Sequence, residues 1–252
     1  MTTRQDDDVA TETRAHLAIA LDVPELDSAL RLARRVKPWF SVAKIGLELF
    51  VAEGPRTVEA LLTEGFEVFL DLKLHDIPNT VGRAARSAGA LGARLVTAHA
   101  CGGEAMLRAA VEGFAEGAAG AGGPRAHFAQ EAVFGRPAGI LGVTVLTSDS
   151  TAAPDLLASR AALAETTGCA GIVCAAVDLS AVQKVLSRSL RVVPGIRLPD
   201  DSAGDQARVS TPGSALRGGA DLLVVGRSVT SAADIETAAA AISADAASWR
   251  EQ

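Results

Sequence analysis

Tyrosine is absent from this 252-residue chain, and all aromatic residues together make up only 4% of it. The interior must therefore be assembled from the plentiful Ala, Val, Leu and Gly, as layers of small aliphatic side chains. Cysteine is scarce as well. Cys101, Cys169 and Cys174 show no CxxC spacing, which points to reduced thiols in a cytoplasmic protein rather than a disulfide scaffold. No apolar run approaches the length needed to span a membrane, and the acid-rich segment from Met1 to His16 lacks the apolar stretch of a secretory leader. Positive charge is in deficit too: at a net charge of −6 no global field draws nucleic acid. An anionic substrate would have to be caught by a few well-placed cations. P-loop, post-strand GxGxxG and GxSxG signatures are all missing.

What is present is an ordinary globular balance, 48% hydrophobic and 21% charged, in a length that suits one (β/α)₈ barrel or two small domains. Short apolar runs alternate with helical patterns from Leu17 onward. Strands are expected at 17–22, 40–46, 66–73, 94–99, 139–147, 171–175, 190–194 and 221–226. Between them lie apolar faces at helical period: Leu26, Leu30, Ala33 and Val36; Val81, Ala84, Ala88 and Leu91; Ile235, Ala239 and Ile242. Eight such units favour a closed TIM barrel, α/β in class, as a single domain over residues 17–252. Residues 1–16 read as a disordered tail, and 113–138 as an insertion in which a helix end gives way to a flexible Gly-rich loop.

In this fold active sites sit at the C-terminal ends of the strands. Nearly every apolar strand here finishes in a polar side chain: Asp22, Lys44, Asp71 with Lys73, His99, Thr147, Arg197 and Arg227. Strand alternation directs Val68, Leu70, Leu72 and Leu74 toward the helices, and Phe69, Asp71 and Lys73 into the barrel mouth. Ala18, Ala20 and Asp22, and likewise Val42, Lys44 and Gly46, project inward by the same rule. Lys44, Asp71, Lys73 and, just past the strand, Asp76 then form a cluster of alternating charge. It reads either as an ion-pair plug or as chemistry. Buried pairs contribute little net stability once desolvation is counted, so a cluster at the functional end of the fold favours chemistry.

A second polar group lies at Gly226-Arg227-Ser228, where an apolar strand runs into glycine, arginine and a helix start. Backbone N–H groups and a guanidinium fork suit a phosphate there. The long polar loop after the seventh strand supplies Arg197 and Gln206 as phosphate-facing candidates; the bland alternative is a solvated surface loop. His16 and His127 read as solvated, and no second His stands at a zinc-binding spacing from His75 or His99. Cys174 reads as a small buried hydrophobe.

These residues bear a family resemblance. Ala20-Leu-Asp22, Lys44-Ile-Gly46, Asp71-Leu-Lys-Leu-His-Asp-Ile-Pro-Asn-Thr80, His99-Ala-Cys-Gly-Gly103, Val143-Thr-Val-Leu-Thr-Ser148, Pro194-Gly-Ile-Arg197 and Val225-Gly-Arg227 resemble, in order, the bacterial orotidine 5'-phosphate decarboxylase family. The DxKxxD motif followed by Ile-Pro-Asn-Thr is the specific part. The resemblance implies decarboxylation of orotidine 5'-phosphate to UMP, the last step of UMP biosynthesis, without metal or cofactor. It implies Lys73 as proton donor to C6, Asp71 beside the leaving carboxylate, and Lys44 and Asp76 completing the array. Asp22 and Lys44 would hold the ribose, Thr147 would read the pyrimidine, and Arg197, Gln206, Gly226 and Arg227 would bind phosphate. It also implies a homodimer in which Asp76, Ile77 and Thr80 reach the neighbouring subunit's site.

The chemistry is consistent. Loss of carbon dioxide from this ring leaves a vinyl-type carbanion with no adjacent carbonyl, so a preorganised ammonium aimed at C6 is what the site must supply. Two other readings compete. A magnesium-dependent sugar-phosphate decarboxylase or aldolase on the same barrel would use the acidic residues on a metal; Ile77-Pro-Asn-Thr80 and the Gln206 loop speak against it. A catalytically silent nucleotide-binding barrel would not need the complete charged array.

Overall fold

The computed structural model describes residues 12–121, 137–146, 148, 153–199 and 208–250. Eight parallel strands close into a barrel in sequence order: β1 (Leu17–Leu21), β2 (Val42–Ile45), β3 (Glu67–Leu74), β4 (Leu95–His99), β5 (Gly139–Val143), β6 (Gly171–Val173), β7 (Leu190–Val193) and β8 (Leu222–Val225). The ring is completed where Ala18 pairs with Val224 between β1 and β8. The expected (β/α)₈ barrel is therefore the observed fold. Among the described residues no helix is long and apolar enough to cross a membrane.

Strand alternation sorts the core into two clusters. Ala18, Ala20, Val42, Phe69, Leu95, Leu141, Val192, Leu222 and Val224 fill the barrel interior. Ile19, Leu21, Ala43, Ile45, Val68 and Leu70 face outward under the helices. Phe69, almost fully buried, is the one aromatic ring inside the barrel cluster. Small Ala18 and Ala20 beside it leave the upper barrel open.

Among the described residues the outer ring includes α1 (Leu26–Val36), α2 (Leu47–Glu53), α3 (Arg56–Thr63), α4 (Pro78–Ala90), α5 (Glu104–Gly120), α6 (Pro154–Thr166), α7 (Leu179–Val182), α8 (Pro212–Arg217), α9 (Arg227–Thr230) and α10 (Ile235–Ala247). The buried face of α1 is Ala29, Leu32, Ala33 and Val36, rotated from the expected one so that Leu26 and Leu30 lie at its edge. In α4 Ala85 rather than Ala84 points inward. In each case the apolar stripe is broader than the row of large side chains, and alanines at the centre let the helix sit close to the sheet.

Several expectations need correction. The tail does not extend to residue 16: residues 12–15 form a helical turn with Thr13 and Ala15 buried. The Ser41 hydroxyl donates to Arg14 O at 3.0 Å and Arg14 Nε donates to Phe40 O at 3.1 Å, stitching this turn to the start of β2. His16 is not simply solvated. Its Nδ1 lies 2.9 Å from the Asp221 carbonyl and its ring packs edge-on to Trp249. The helix end expected at the start of 113–138 is present, as the last turns of α5, which runs to Gly120. β5 and β6 stop at Val143 and Val173, short of the expected ends; just beyond β5 the Thr144 hydroxyl donates to Val173 O at 2.8 Å. Thr147, Gln206 and His127 lie outside the described residues.

The helices flanking β4, α4 and α5, meet backbone to backbone. A Cβ on Gly113 would collide with Gly82 O, and one on Gly117 with Arg86 O. This contact fixes the helix that follows the β3 loop, and with it the position of Ile77 and Pro78 at its start. Although alanine is the better helix former, Gly117→Ala should lower stability by about 1–3 kcal/mol, the usual cost of overpacking. Urea denaturation should show this as a reduced midpoint at unchanged slope.

Candidate active site

Four charged side chains line up at the C-terminal mouth, each placed by a different turn of the strand pattern. Asp22 follows the last residue of β1, and its carboxylate is largely exposed. Lys44 lies within β2 with 7% of its surface accessible, so its long stem runs inside the barrel wall and only the ammonium reaches the mouth. Its Nζ donates to Asp22 Oδ1 at 3.0 Å and stands 3.7 Å from Asp71 Oδ2. Lys73 Nζ donates to the same Asp71 Oδ2 at 2.8 Å. The order is carboxylate, ammonium, carboxylate, ammonium.

Gly46 is a structural condition for this order. A Cβ there would collide with Asp22 Oδ1 and crowd Lys44 Nζ at 3.2 Å. Any larger residue would push the Asp22–Lys44 pair apart.

Asp71 is the hub. Burial alone would push its carboxyl up, but the charges of Lys44 and Lys73 and hydrogen bonds from Lys73 and Thr97 hold it below the ordinary carboxylate value. Lys73 takes a left-handed backbone conformation, φ 50°, which it alone adopts among the described non-glycine residues. At the same place the β3–β4 register slips between Leu70 and Leu74. The Lys73 N–H, freed from the ladder, donates to Thr97 Oγ1 at 2.8 Å, and the Thr97 hydroxyl donates to Asp71 Oδ1 at 3.0 Å. Thr97 was not among the expected site residues, although a polar side chain at the inward position between Leu95 and His99 was a visible signal.

Asp22, Lys44, Asp71 and Lys73 share one cleft of about 640 Å³ with Arg197, Gly226 and Arg227, over a floor that includes Ala20 and Phe69. The two arginines follow β7 and β8, the strands that close the ring against β1. Arg197 is 6% exposed; its Nη1 donates to Ser228 Oγ at 3.1 Å, and its backbone N–H to Ser210 O at 3.0 Å. Gly226 precedes α9 and Arg227 is its first residue. The cleft thus combines a lysine–aspartate array with two arginines, a lining suited to an anionic molecule.

Asp76, expected to join the charged cluster from just past the strand, is not part of it within this chain. It is exposed, and its Oδ1 accepts from Ile77 N at 2.6 Å, within its own loop. Ile77 is 66% exposed and Thr80 is also on the surface, so none of the three lines this chain's cleft. The strand ends at Leu74, and the chain turns away before Asp76 can point inward.

Near the cleft, the rings of His75 and His99 lie 5.5 Å apart, and Cys101 Sγ is 4.0 Å from His75 Nε2. Desolvation, with nearby His75 and Lys73, lowers the His99 pKa, which favours its neutral form. Burial pushes the Cys174 thiol up to about 12, in keeping with a purely apolar role.

Comparison with known proteins bears on the family of the chain. A protein named orotidine 5'-phosphate decarboxylase from Anaeromyxobacter dehalogenans is 44% identical over 239 residues, covering 90% of this chain and 96% of its own length. One of the same name from Nitratidesulfovibrio vulgaris is 46% identical over 250 residues, covering 94% and 99%. The crystal structure of orotidine 5'-phosphate decarboxylase from Lactobacillus acidophilus superposes with a TM-score of 0.73 at 29% identity, over 91% of this chain and 98% of that one. Residues 15–242 match the family described as orotidine 5'-phosphate decarboxylase / HUMPS. With that match over most of its length and relatives at this level of identity, the chain belongs to the orotidine 5'-phosphate decarboxylase / HUMPS family.

Proposed function

We propose that this chain removes carbon dioxide from orotidine 5'-phosphate to give UMP, with Lys73 delivering the proton to C6 and without metal or cofactor. The chain is an enzyme of the carboxy-lyase class, as its relatives are named. One observation carries the finer reading: the Lys44–Asp71–Lys73 array and the Arg197–Arg227 pair line a single cleft. A nucleotide whose phosphate meets the arginines would present its base to the lysines.

When the C6 carboxylate leaves as carbon dioxide, its bonding electron pair stays on C6. The Lys73 ammonium stabilises that pair and then gives it a proton, so charge and atoms balance. Asp71 holds Lys73 in place and stands beside the leaving carboxylate. Asp22 and Lys44 bind the ribose hydroxyls, Thr147 reads the base, and Arg197, Gln206, Gly226 and Arg227 take the phosphate. Both Asp71 oxygens are engaged, Oδ2 by Lys73 and Oδ1 by Thr97, a donor-rich setting that suits an organic anion better than a magnesium ion. We place the reaction in the cytoplasm, on a homodimer to which each chain contributes Asp76, Ile77 and Thr80 across the interface. The exposure of those three residues supports this.

The decisive assay follows the ultraviolet absorbance of orotidine 5'-phosphate in buffer containing EDTA. The wild-type protein should convert it to UMP, and Lys73→Ala, still folded by circular dichroism, should lose more than about 10⁴-fold in kcat/KM. No turnover by wild type, or turnover that EDTA stops and magnesium restores, overturns the proposal.

Arg227→Ala should raise KM and lower kcat/KM by about 10- to 100-fold, the worth of a charge-assisted hydrogen bond. An unchanged KM would put the phosphate elsewhere.

Lys73→Ala and Asp76→Ala, each nearly inactive alone, should complement one another. Refolded together in equal amounts, half the dimers are mixed and each carries one intact site, so about a quarter of wild-type activity should return. Absence of any gain, with mixed dimers verified by mass spectrometry, would assign Asp76 to its own chain.

A further inference from the structure

Among the described residues, buried threonine hydroxyls such as those of Thr57, Thr144 and Thr167 donate to a backbone carbonyl, of Gly54, Val173 and Leu163 respectively. Thr97, fully buried in β4, does something different. Its hydroxyl has one proton and two lone pairs. The proton goes to Asp71 Oδ1 at 3.0 Å, and a lone pair receives the Lys73 backbone N–H at 2.8 Å. A single side-chain oxygen thus bridges the carboxylate and the backbone of the two residues that stand closest to the chemistry.

The consequences are geometric. With Oδ2 held by Lys73 Nζ and Oδ1 held by Thr97, the Asp71 carboxylate cannot rotate about its Cβ–Cγ bond without losing a partner. At the register slip the Lys73 N–H meets the Thr97 hydroxyl instead of a carbonyl of β4. That bond offsets the cost of φ 50° and sets the direction in which the Lys73 side chain departs from the strand.

We propose that Thr97 is a positioning residue for the decarboxylation, fixing Asp71 and the backbone of Lys73 in the one arrangement that aims the ammonium. This inference rests on the function proposed above. Thr97 does not line the cleft, so it acts through its two neighbours and not on the substrate.

The test compares Thr97→Val, which keeps the shape and removes the hydroxyl, with Thr97→Ser, which keeps the hydroxyl. In the valine variant kcat for orotidine 5'-phosphate should fall by about 10- to 100-fold, as expected for a small misplacement of reacting groups. KM, and the Kd for UMP measured by calorimetry, should stay within about threefold, because the binding side of the cleft is untouched. Thr97→Ser should keep kcat within about threefold of wild type. A purely structural threonine would instead give kcat near wild type in the folded valine variant, or a serine variant as impaired as valine; either result overturns the role. Should the valine variant fail to fold, Thr97→Ala removes the hydroxyl without steric demand and is judged on the same readouts. Failure of the wild-type protein itself to turn over the substrate would overturn the proposed function, whereas a wild-type kcat retained in the valine or alanine variant would overturn only the role of Thr97.

Discussion

Asp71 stands between two ammonium groups, 2.8 Å from Lys73 Nζ and 3.7 Å from Lys44 Nζ, in a site with a largely apolar floor. The carboxylate gives the buried Lys44 ammonium a partner, and the two lysines, with the Thr97 hydroxyl, offset the cost of burying the Asp71 charge. Because its pKa is depressed, Asp71 contributes stability above the ordinary carboxylate range, and that contribution is lost only as pH falls through the lower folded value. The remaining features of the mouth serve this interaction. Gly46 leaves room for Asp22 to hold Lys44, and Ala20 keeps the space above Phe69 open.

The scaffold divides its work between strands that place charges and helices that hold the strands. Closure through β1 and β8 brings Asp22 next to the residues that follow β8, so the first and last units of the chain share one wall of the cleft. The helical turn at 12–15 adds to that closure, since the backbone N–H of Leu223 donates to His16 O. On the other side, glycine contacts lock α4 against α5 and leave little freedom in the chain that leaves β3.

Most of this architecture was legible in the sequence because burial leaves a periodic trace. Alternation along β3 separated Val68 and Leu70 from Phe69 and Asp71, and the two core clusters divide the same way. Polar residues at strand ends marked Asp22, Lys44, Asp71, Lys73, Arg197 and Arg227, all of which share the cleft. What stayed hidden depends on bonds that hydropathy does not record. His16 looked like tail because its partner, the Asp221 carbonyl, is 205 residues away. Asp76 looked like a member of the mouth because it lies only three residues past Lys73, but nearness in sequence does not fix where a loop side chain points once the strand has ended at Leu74. The left-handed turn at Lys73 and the hydroxyl of Thr97 that supports it arise from a slip in pairing, and period-two reading presumes perfect pairing.

That slip sets stability against function at a single residue. A lysine at φ 50° costs the folded chain on the order of 1–2 kcal/mol that glycine would not incur, and asparagine would incur less of it. Optimising this protein for thermal robustness alone would therefore select a smaller residue at position 73 and discard the ammonium that the mouth is built around. Searches for hardier variants need a readout of turnover as well as of unfolding, because at this position the two objectives pull apart.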